Sequence, residues 1–76
     1  MGDIVFSIYA NDKLQIGFHC RGGHFGDALY MRVYDYLMRR FGLEHEQSED
    51  AASWCELAAV GECYDGDGFE IVVEED

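Results

Sequence analysis

The stretch that decides the fold is residues 4–20, which read IVFSIYANDKLQIGFHC. Apolar side chains recur at every second position on both sides of its centre, which is typical of strands with one buried face. The polar break at residues 11–13 separates the two runs and predicts a short turn, so the stretch predicts an N-terminal β-hairpin. The inward-facing residues of this hairpin are expected to be Ile4, Phe6, Ile8, Leu14, Ile16, Phe18 and Cys20.

After this hairpin the apolar period changes from that of a strand to that of a helix, over residues 24–41. Asp27 lies in the first turn and Arg39 and Arg40 lie in the last, and each charge complements the helix dipole. Gly42 follows as a typical C-terminal stop. One long helix is therefore predicted, and its apolar face comprises Phe25, Leu29, Tyr30, Val33, Tyr34, Tyr36, Leu37 and Phe41.

The secondary structure of residues 49–64 stays open from the sequence alone. Ser48 or Asp50 could cap a short helix that Gly61 would stop, whereas an extended segment over residues 57–64 could pair with the last strand. A helix over about residues 49–58 followed by a short strand satisfies both patterns. The alternation of residues 69–74 predicts the final strand.

These elements predict an α+β fold in a single compact acidic domain over residues 1–76. A small antiparallel sheet of three or four strands would combine the N-terminal hairpin with a C-terminal strand or hairpin. One long and one short helix would pack on it, because an amphipathic sheet must bury its apolar face. No stretch approaches the ~20 apolar residues of a membrane span, and the odd number of cysteines favours a reducing, cytoplasmic location over secretion.

Charge divides the sequence into two halves. Residues 1–40 carry five Lys or Arg against four Asp or Glu, whereas residues 41–76 carry twelve Asp or Glu and no Lys or Arg. The formal net charge is −11, so nucleic-acid phosphates and anionic membrane surfaces are expected to repel the protein. A field of one sign at this density indicates either a need for solubility or a positively charged partner.

The densest group of reactive side chains is HCRGGH at residues 19–24. Zinc binding would need a second tight pair of ligands, and the spacing of the cysteines does not provide one. His19 and Cys20 point to opposite faces of a strand, which disfavours a nucleophilic cysteine. The loop at residues 65–68 lacks the oxygen ligand and the glycine that a calcium loop requires at its fifth and sixth positions. We therefore expect no enzymatic activity, no cofactor and no metal.

The leading hypothesis is a non-enzymatic domain that mimics nucleic acid and blocks a basic nucleic-acid-binding protein. Duplex DNA presents one negative charge per ~1.7 Å of axis, and a surface of this acid density can approximate that array. Small acidic phage inhibitors, including anti-CRISPR proteins, provide a physical analogy. The expected partner-binding residues are Glu44, Glu46, Glu49, Asp50, Glu56, Glu62, Asp65, Asp67, Glu70 and Glu74, with Trp54 and Tyr64 as aromatic anchors.

The alternative hypothesis is a small homodimeric or scaffold-associated structural domain without a nucleic-acid-related role. Its contact would be a sheet edge or a patch on the long helix formed by Met31, Tyr34 and Met38. The two methionines lie outside the main apolar face of that helix. Either another element covers them, or they remain exposed as an adaptable patch for a partner or a second copy. Under this alternative, the acidic half would only keep the domain soluble.

Overall fold

A computed structural model describes residues 3–21 and 25–75 of the chain. It contains β1 (Ile4–Ala10), β2 (Lys13–Cys20), α1 (Asp27–Phe41), α2 (His45–Leu57), β3 (Cys63–Asp65) and β4 (Glu70–Glu75). The strands form one antiparallel sheet in the order β2-β1-β4-β3. The predicted α+β fold is confirmed, with a hairpin at the C-terminal end of the sheet and helices of 15 and 13 residues. The predicted helix over residues 24–41 starts later than expected, because α1 begins at Asp27 with Gly26 as an extended N-cap; residue 24 itself lies outside the described residues.

The hairpin of β1 and β2 closes through a two-residue turn. Asn11 and Asp12 have φ angles of 53° and 63°. Positive φ at both central positions is characteristic of a type I′ turn, whose twist matches that of the flanking strands. Asn and Asp tolerate this conformation better than most residues. The turn sets the strand register, which places the predicted inward residues Phe6 and Phe18 opposite each other.

Leu14 departs from the predicted alternation. The register shifts between Ile8 and Tyr9, so that Tyr9 lies opposite Leu14 and Gln15 is left as an additional residue in β2. Such a bulge reverses the face of the residues beyond it. The prediction that Leu14 points inward is therefore wrong, and its side chain is exposed.

The core lies between the two helices and one face of the sheet. It comprises Phe6, Ile8, Phe18, Cys20, Val33, Leu37, Leu43, Ala51, Ala52, Cys55, Phe69, Ile71 and Val73. α1 lies over β2, where the ring of Tyr36 packs edge-on against Phe18. α2 packs on α1 and reaches β3, where the rings of Trp54 and Tyr64 are 5.5 Å apart. Both helices therefore cover the same face of the sheet, and within the described residues no helix lies on the other face, which carries Tyr9 among others.

The start of α2 differs from the prediction. Neither Ser48 nor Asp50 caps the helix, which begins four residues earlier than expected. Glu44 is the N-cap: its side chain accepts a hydrogen bond from the backbone of Gln47, and the Gln47 side chain accepts one from the backbone N–H of Glu44 at 3.1 Å. This reciprocal capping box satisfies two N–H groups at the helix start. Glu is not a preferred N-cap residue, so residue preference alone predicted Ser48 or Asp50 as the cap.

Candidate functional site

The division of charge along the sequence becomes a division of the surface. β2 and β3 are the two edges of the sheet, and α1 and α2 lie over these opposite edges. The five Lys and Arg residues lie on α1 or in and directly after β2: Lys13, Arg21, Arg32, Arg39 and Arg40. The described acids of residues 41–76 all lie on α2, β3, β4 or the segments beside them. We call this part of the molecule the acidic side.

A cleft of about 480 Å³ opens on the acidic side between α2 and the loop that joins β3 to β4. Leu43 and Phe69 contribute apolar surface at its base, where each is only 7% exposed. Four exposed carboxylates surround this base, namely Glu46, Asp50, Asp65 and Asp67. We call this feature the acidic cleft. An aromatic base beneath a ring of carboxylates is suited to a cationic side chain, which gains both charge attraction and contact with the ring.

The loop beside the acidic cleft is folded tightly around Phe69. The backbone N–H of Gly66 donates a hydrogen bond to the carbonyl oxygen of Phe69 at 2.8 Å. The Phe69 ring occupies the space where a side chain at position 66 would lie, because a Cβ there would be 2.1 Å from its Cζ atom. This ring also stacks on Phe41 and Tyr64, with centroids 5.2 and 6.2 Å apart. The shape of the cleft therefore depends on glycine at position 66.

Tyr64 connects the two elements that form the acidic cleft. Its hydroxyl donates a hydrogen bond to the carboxylate of Asp50 at 2.6 Å, which joins β3 to α2. Partial burial, this hydrogen bond and the negative charge of Asp50 raise the pKa of Tyr64 to about 12. All three effects disfavour a charged phenolate. Tyr64 is therefore a neutral donor that positions Asp50 at physiological pH.

Replacing Tyr64 with Phe is expected to reduce the loss of stability between about pH 10 and pH 12. The pKa is raised from an ordinary value of 10.0 to about 12 in the folded state. Folding therefore favours the neutral phenol, and this contribution is complete below pH 10 and lost as the pH rises through 12. Urea denaturation at about pH 9 and pH 11.5 should show a larger loss for the wild type than for the variant. Equal losses would contradict the role given to Tyr64.

The predicted partner-binding residues fall into three groups. Tyr64 and the four acids named above form the acidic cleft. Glu70 and Glu74 lie outside it, on the sheet face without a helix, because they pair with Tyr9 and Val5 of β1. The remaining acids are exposed around α2 and before β3: Glu44, Glu49, Glu56 and Glu62. The structure thus does not gather all ten predicted acids at one point.

Asp65 connects the acidic cleft with the acids of the uncovered sheet face. It lines the cleft and also lies directly opposite Glu70 in the pairing of β3 with β4. On the same face, the hydroxyl of Tyr9 lies 3.5 Å from the carboxylate of Glu74, to which it donates. The acidic surface therefore continues from the cleft around the β3 edge of the sheet. The predicted anchor Trp54 is half-buried against Tyr64 and does not line the cleft.

The sequence pattern did not identify the apolar base of the cleft. The glycine stop at residue 42 indicates only a local contact for Leu43, and the alternation of residues 69–74 indicates only a strand at Phe69. A glycine three residues before an aromatic residue, within a loop rich in Asp and Gly, is the one local signal. That signal indicates a turn, but it does not indicate that α2 would lie against the turn.

The surroundings of the described thiols disfavour the thiolate form. Cys20 and Cys55 are buried, and burial raises the pKa of Cys55 to about 12. Desolvation and the carboxylates of Glu70 and Asp65 raise the pKa of the exposed Cys63. A raised pKa lowers the fraction of reactive thiolate.

Within residues 3–21 and 25–75, no group of three or more His, Cys, Asp or Glu side chains could hold a metal ion. His24 of the predicted cluster lies outside these ranges.

The predicted patch on α1 is exposed at its two methionines, whereas Tyr34 is half-buried. Met31 and Met38 are 56% and 36% exposed, so α2 does not cover them. The Tyr34 hydroxyl contacts the Nδ1 atom of His45 at the start of α2, and its ring stacks on Tyr30. α2 thus reaches the tyrosine and leaves the methionines open. A dimer contact at this patch stays a prediction.

The protein is a small α+β domain with a four-stranded antiparallel sheet, two helices on one face of that sheet, and an acidic cleft. No protein-family model matches the chain, and no curated protein or solved structure matches it. Within the described part of the chain, no helix has the length and apolar character needed to cross a membrane.

Proposed function

We propose that the protein is a non-enzymatic mimic of nucleic acid that blocks a basic nucleic-acid-binding protein in the cytoplasm. The observation that carries the proposal is the collection of the described acids of residues 41–76 on α2, β3, β4 and the segments beside them, which contain no Lys or Arg. A groove that binds phosphates through Lys and Arg attracts carboxylates by the same electrostatics. A one-signed surface also speeds association through long-range steering.

The arrangement of the acids supports a broad contact with the partner and not a single ion pair. They continue from the acidic cleft through Asp65 to Glu70 and Glu74, which are four residues apart along β4. At ~3.3 Å per residue, Glu70 and Glu74 are separated by about 13 Å. The acidic surface is therefore long enough to meet several basic side chains of one groove.

The acidic cleft adds a contact with an apolar surface to the charge attraction of the acidic side. An Arg or Lys side chain of the partner would enter it, with its charge between the carboxylates and its stem on Phe69 and Tyr64. The apolar stem of an Arg or Lys gains by covering apolar surface while its charged group stays among the carboxylates. Such an anchor would make the acidic side bind a protein with an exposed basic side chain more tightly than it binds free cations from solution.

Displacement by nucleic acid is the experiment that tests the proposal. Tagged protein is immobilised, exposed to a nuclease-treated cell lysate and washed at about 0.1 M salt, and the bound proteins are identified by mass spectrometry. We expect a basic nucleic-acid-binding protein that a duplex of about 20 base pairs releases at constant salt, and that elutes below about 0.5 M salt without it. A partner that stays bound in excess duplex and high salt would contradict mimicry.

The alternative of a homodimeric or scaffold-associated structural domain is favoured by one observation, the exposure of Met31 and Met38 beside Tyr34. An apolar contact there would depend little on ionic strength. Sedimentation velocity at low and high salt separates the two functions. A dimer that persists at high salt and dissociates on Met31→Gln with Met38→Gln would support the structural domain.

A further inference from the structure

A second groove, of about 460 Å³, lies between α1 and β2, at the sheet edge opposite to the acidic side. Ile16, Phe18 and Tyr36 form its apolar lining. Its charged lining residues are Arg32, Asp35, Arg39 and Arg40. Three guanidinium groups and one carboxylate make this groove locally positive on a protein whose net charge is −11. We call it the basic groove.

The three arginines are held in different ways. The Arg32 guanidinium lies 5.6 Å from the centre of the Phe18 ring. Arg40 lies 5.3 Å from the centre of the Phe41 ring and donates a hydrogen bond to the side-chain oxygen of Gln15 at 3.2 Å. Aromatic rings and an amide leave the charge of a guanidinium in place, so these two arginines can still bind a carboxylate.

Arg39 takes part in an exposed ion pair. Its Nε atom is 3.0 Å from Asp35 one turn earlier on α1, and both side chains are largely exposed. Exposed ion pairs of this kind are weak and readily exchanged. A carboxylate from outside the molecule can therefore share Arg39 or replace Asp35 as its partner.

The basic groove lies beside a free sheet edge. β2 has eight residues and pairs with β1 on one side, and no strand among residues 3–21 and 25–75 pairs with its other side. A sheet edge presents N–H and C=O groups to an extended chain, and the part of this edge that borders the groove is residues 16–18. Ile16 and Phe18 belong to β2 itself, so a strand added to this edge would run along the mouth of the groove. Alternate side chains of that strand would face α1.

We propose that the basic groove and the free edge of β2 bind an extended acidic peptide segment of a partner protein as a fifth strand. An apolar side chain of the peptide would contact Ile16, Phe18 and Tyr36. Carboxylates two residues before and after it on the same face would pair with the arginines of α1. Main-chain pairing provides affinity in this mode of recognition, and the side chains provide specificity. This surface is separate from the acidic side and does not depend on the function proposed for it.

Charge and shape favour a peptide over a nucleic-acid strand in this groove. The arginines could bind phosphates as well as carboxylates, but the edge of β2 offers backbone N–H and C=O groups that a polypeptide matches and a sugar-phosphate chain does not. The two carboxylates of such a peptide also match the local excess of positive charge in the groove, which has three guanidinium groups against one carboxylate.

The test is an NMR titration of the ¹⁵N-labelled protein with a nine-residue peptide, in which Glu, Ile and Glu occupy alternate positions and Thr fills the others. We expect chemical-shift changes concentrated in residues 14–20 and 32–40. Replacing both Glu of the peptide with Gln, or N-methylating every second residue, should each weaken binding at least tenfold. No binding at millimolar peptide, or shifts centred outside these two segments, would overturn the proposal.

Variants of the protein provide a second test, which does not rely on changes to the peptide. Arg32→Gln with Arg39→Gln should weaken binding at least tenfold, because both side chains line the groove. Lys13→Gln with Arg21→Gln removes the same charge from residues that do not line it, and should weaken binding less than threefold. Equal losses in the two variants, equal binding of the Gln peptide, or tighter binding of a ten-nucleotide oligo-dT would each overturn the assignment to an acidic peptide.

Discussion

Replacing Gly66 with Ala is expected to lower the free energy of unfolding by about 2 to 3 kcal/mol, within the range found for overpacked cores. The reason is steric and not conformational. A Cβ at position 66 would lie 2.1 to 2.7 Å from three atoms of the Phe69 ring, and that ring is only 7% exposed. Phe69 would have to leave its stack with Phe41 and Tyr64. Urea denaturation followed by tryptophan fluorescence measures the change.

Gly17→Ala is the matched control for this prediction. A Cβ at position 17 would meet only the Cγ2 methyl group of Val5, at 3.1 Å, and a small side-chain movement relieves that contact. Its expected cost is below about 1 kcal/mol. In a double-mutant cycle, Phe69→Leu should reduce the penalty of Gly66→Ala, since the two substitutions act on one contact. Equal costs for the two Ala variants would show that the Phe69 ring moves freely.

Local periodicity predicted the elements whose pattern is long. The hairpin of β1 and β2 and the helix α1 each repeat their apolar period several times, so the fold class followed from them. β3 has only three residues, which is too short to show a period, and its pairing depends on the turn at residues 65–68. The bulge at Gln15 and the cap at Glu44 were missed because each depends on the partner that a residue meets in the folded chain.

The candidate site was predicted in part. The excess of acids in residues 41–76 was evident, but their collection on one side depends on β4 lying between β1 and β3. Residues far apart in the sequence, such as Glu46 and Asp67, meet at the acidic cleft only because α2 lies against the turn before β4. The sequence carries no marker for that contact, since it arises from packing between elements and not within one.

Reversing the charges of Glu70 and Glu74 to Lys is expected to weaken binding to the basic partner about a hundredfold, or close to 3 kcal/mol. Like charges facing each other across an interface cost several kcal/mol in total. The fold should tolerate the change, because Glu70 lies opposite Asp65 and the substitution Glu70→Lys replaces a like-charge pair with an attractive one. Titration calorimetry at several salt concentrations measures the loss of affinity and the expected decrease in the salt dependence.

Asp27→Lys with Asp35→Lys is the control of equal net charge. Each reversal adds two charge units, so both double variants carry −7 in place of −11. Both control sites lie on α1, away from the acidic side, and the control should lose less than fivefold in affinity. If overall charge alone governed binding, the two variants would weaken it equally, and mimicry by a defined surface would be wrong. If Glu70→Lys with Glu74→Lys changes nothing, the partner does not contact the uncovered face of the sheet, and the acidic cleft must provide the contact without it.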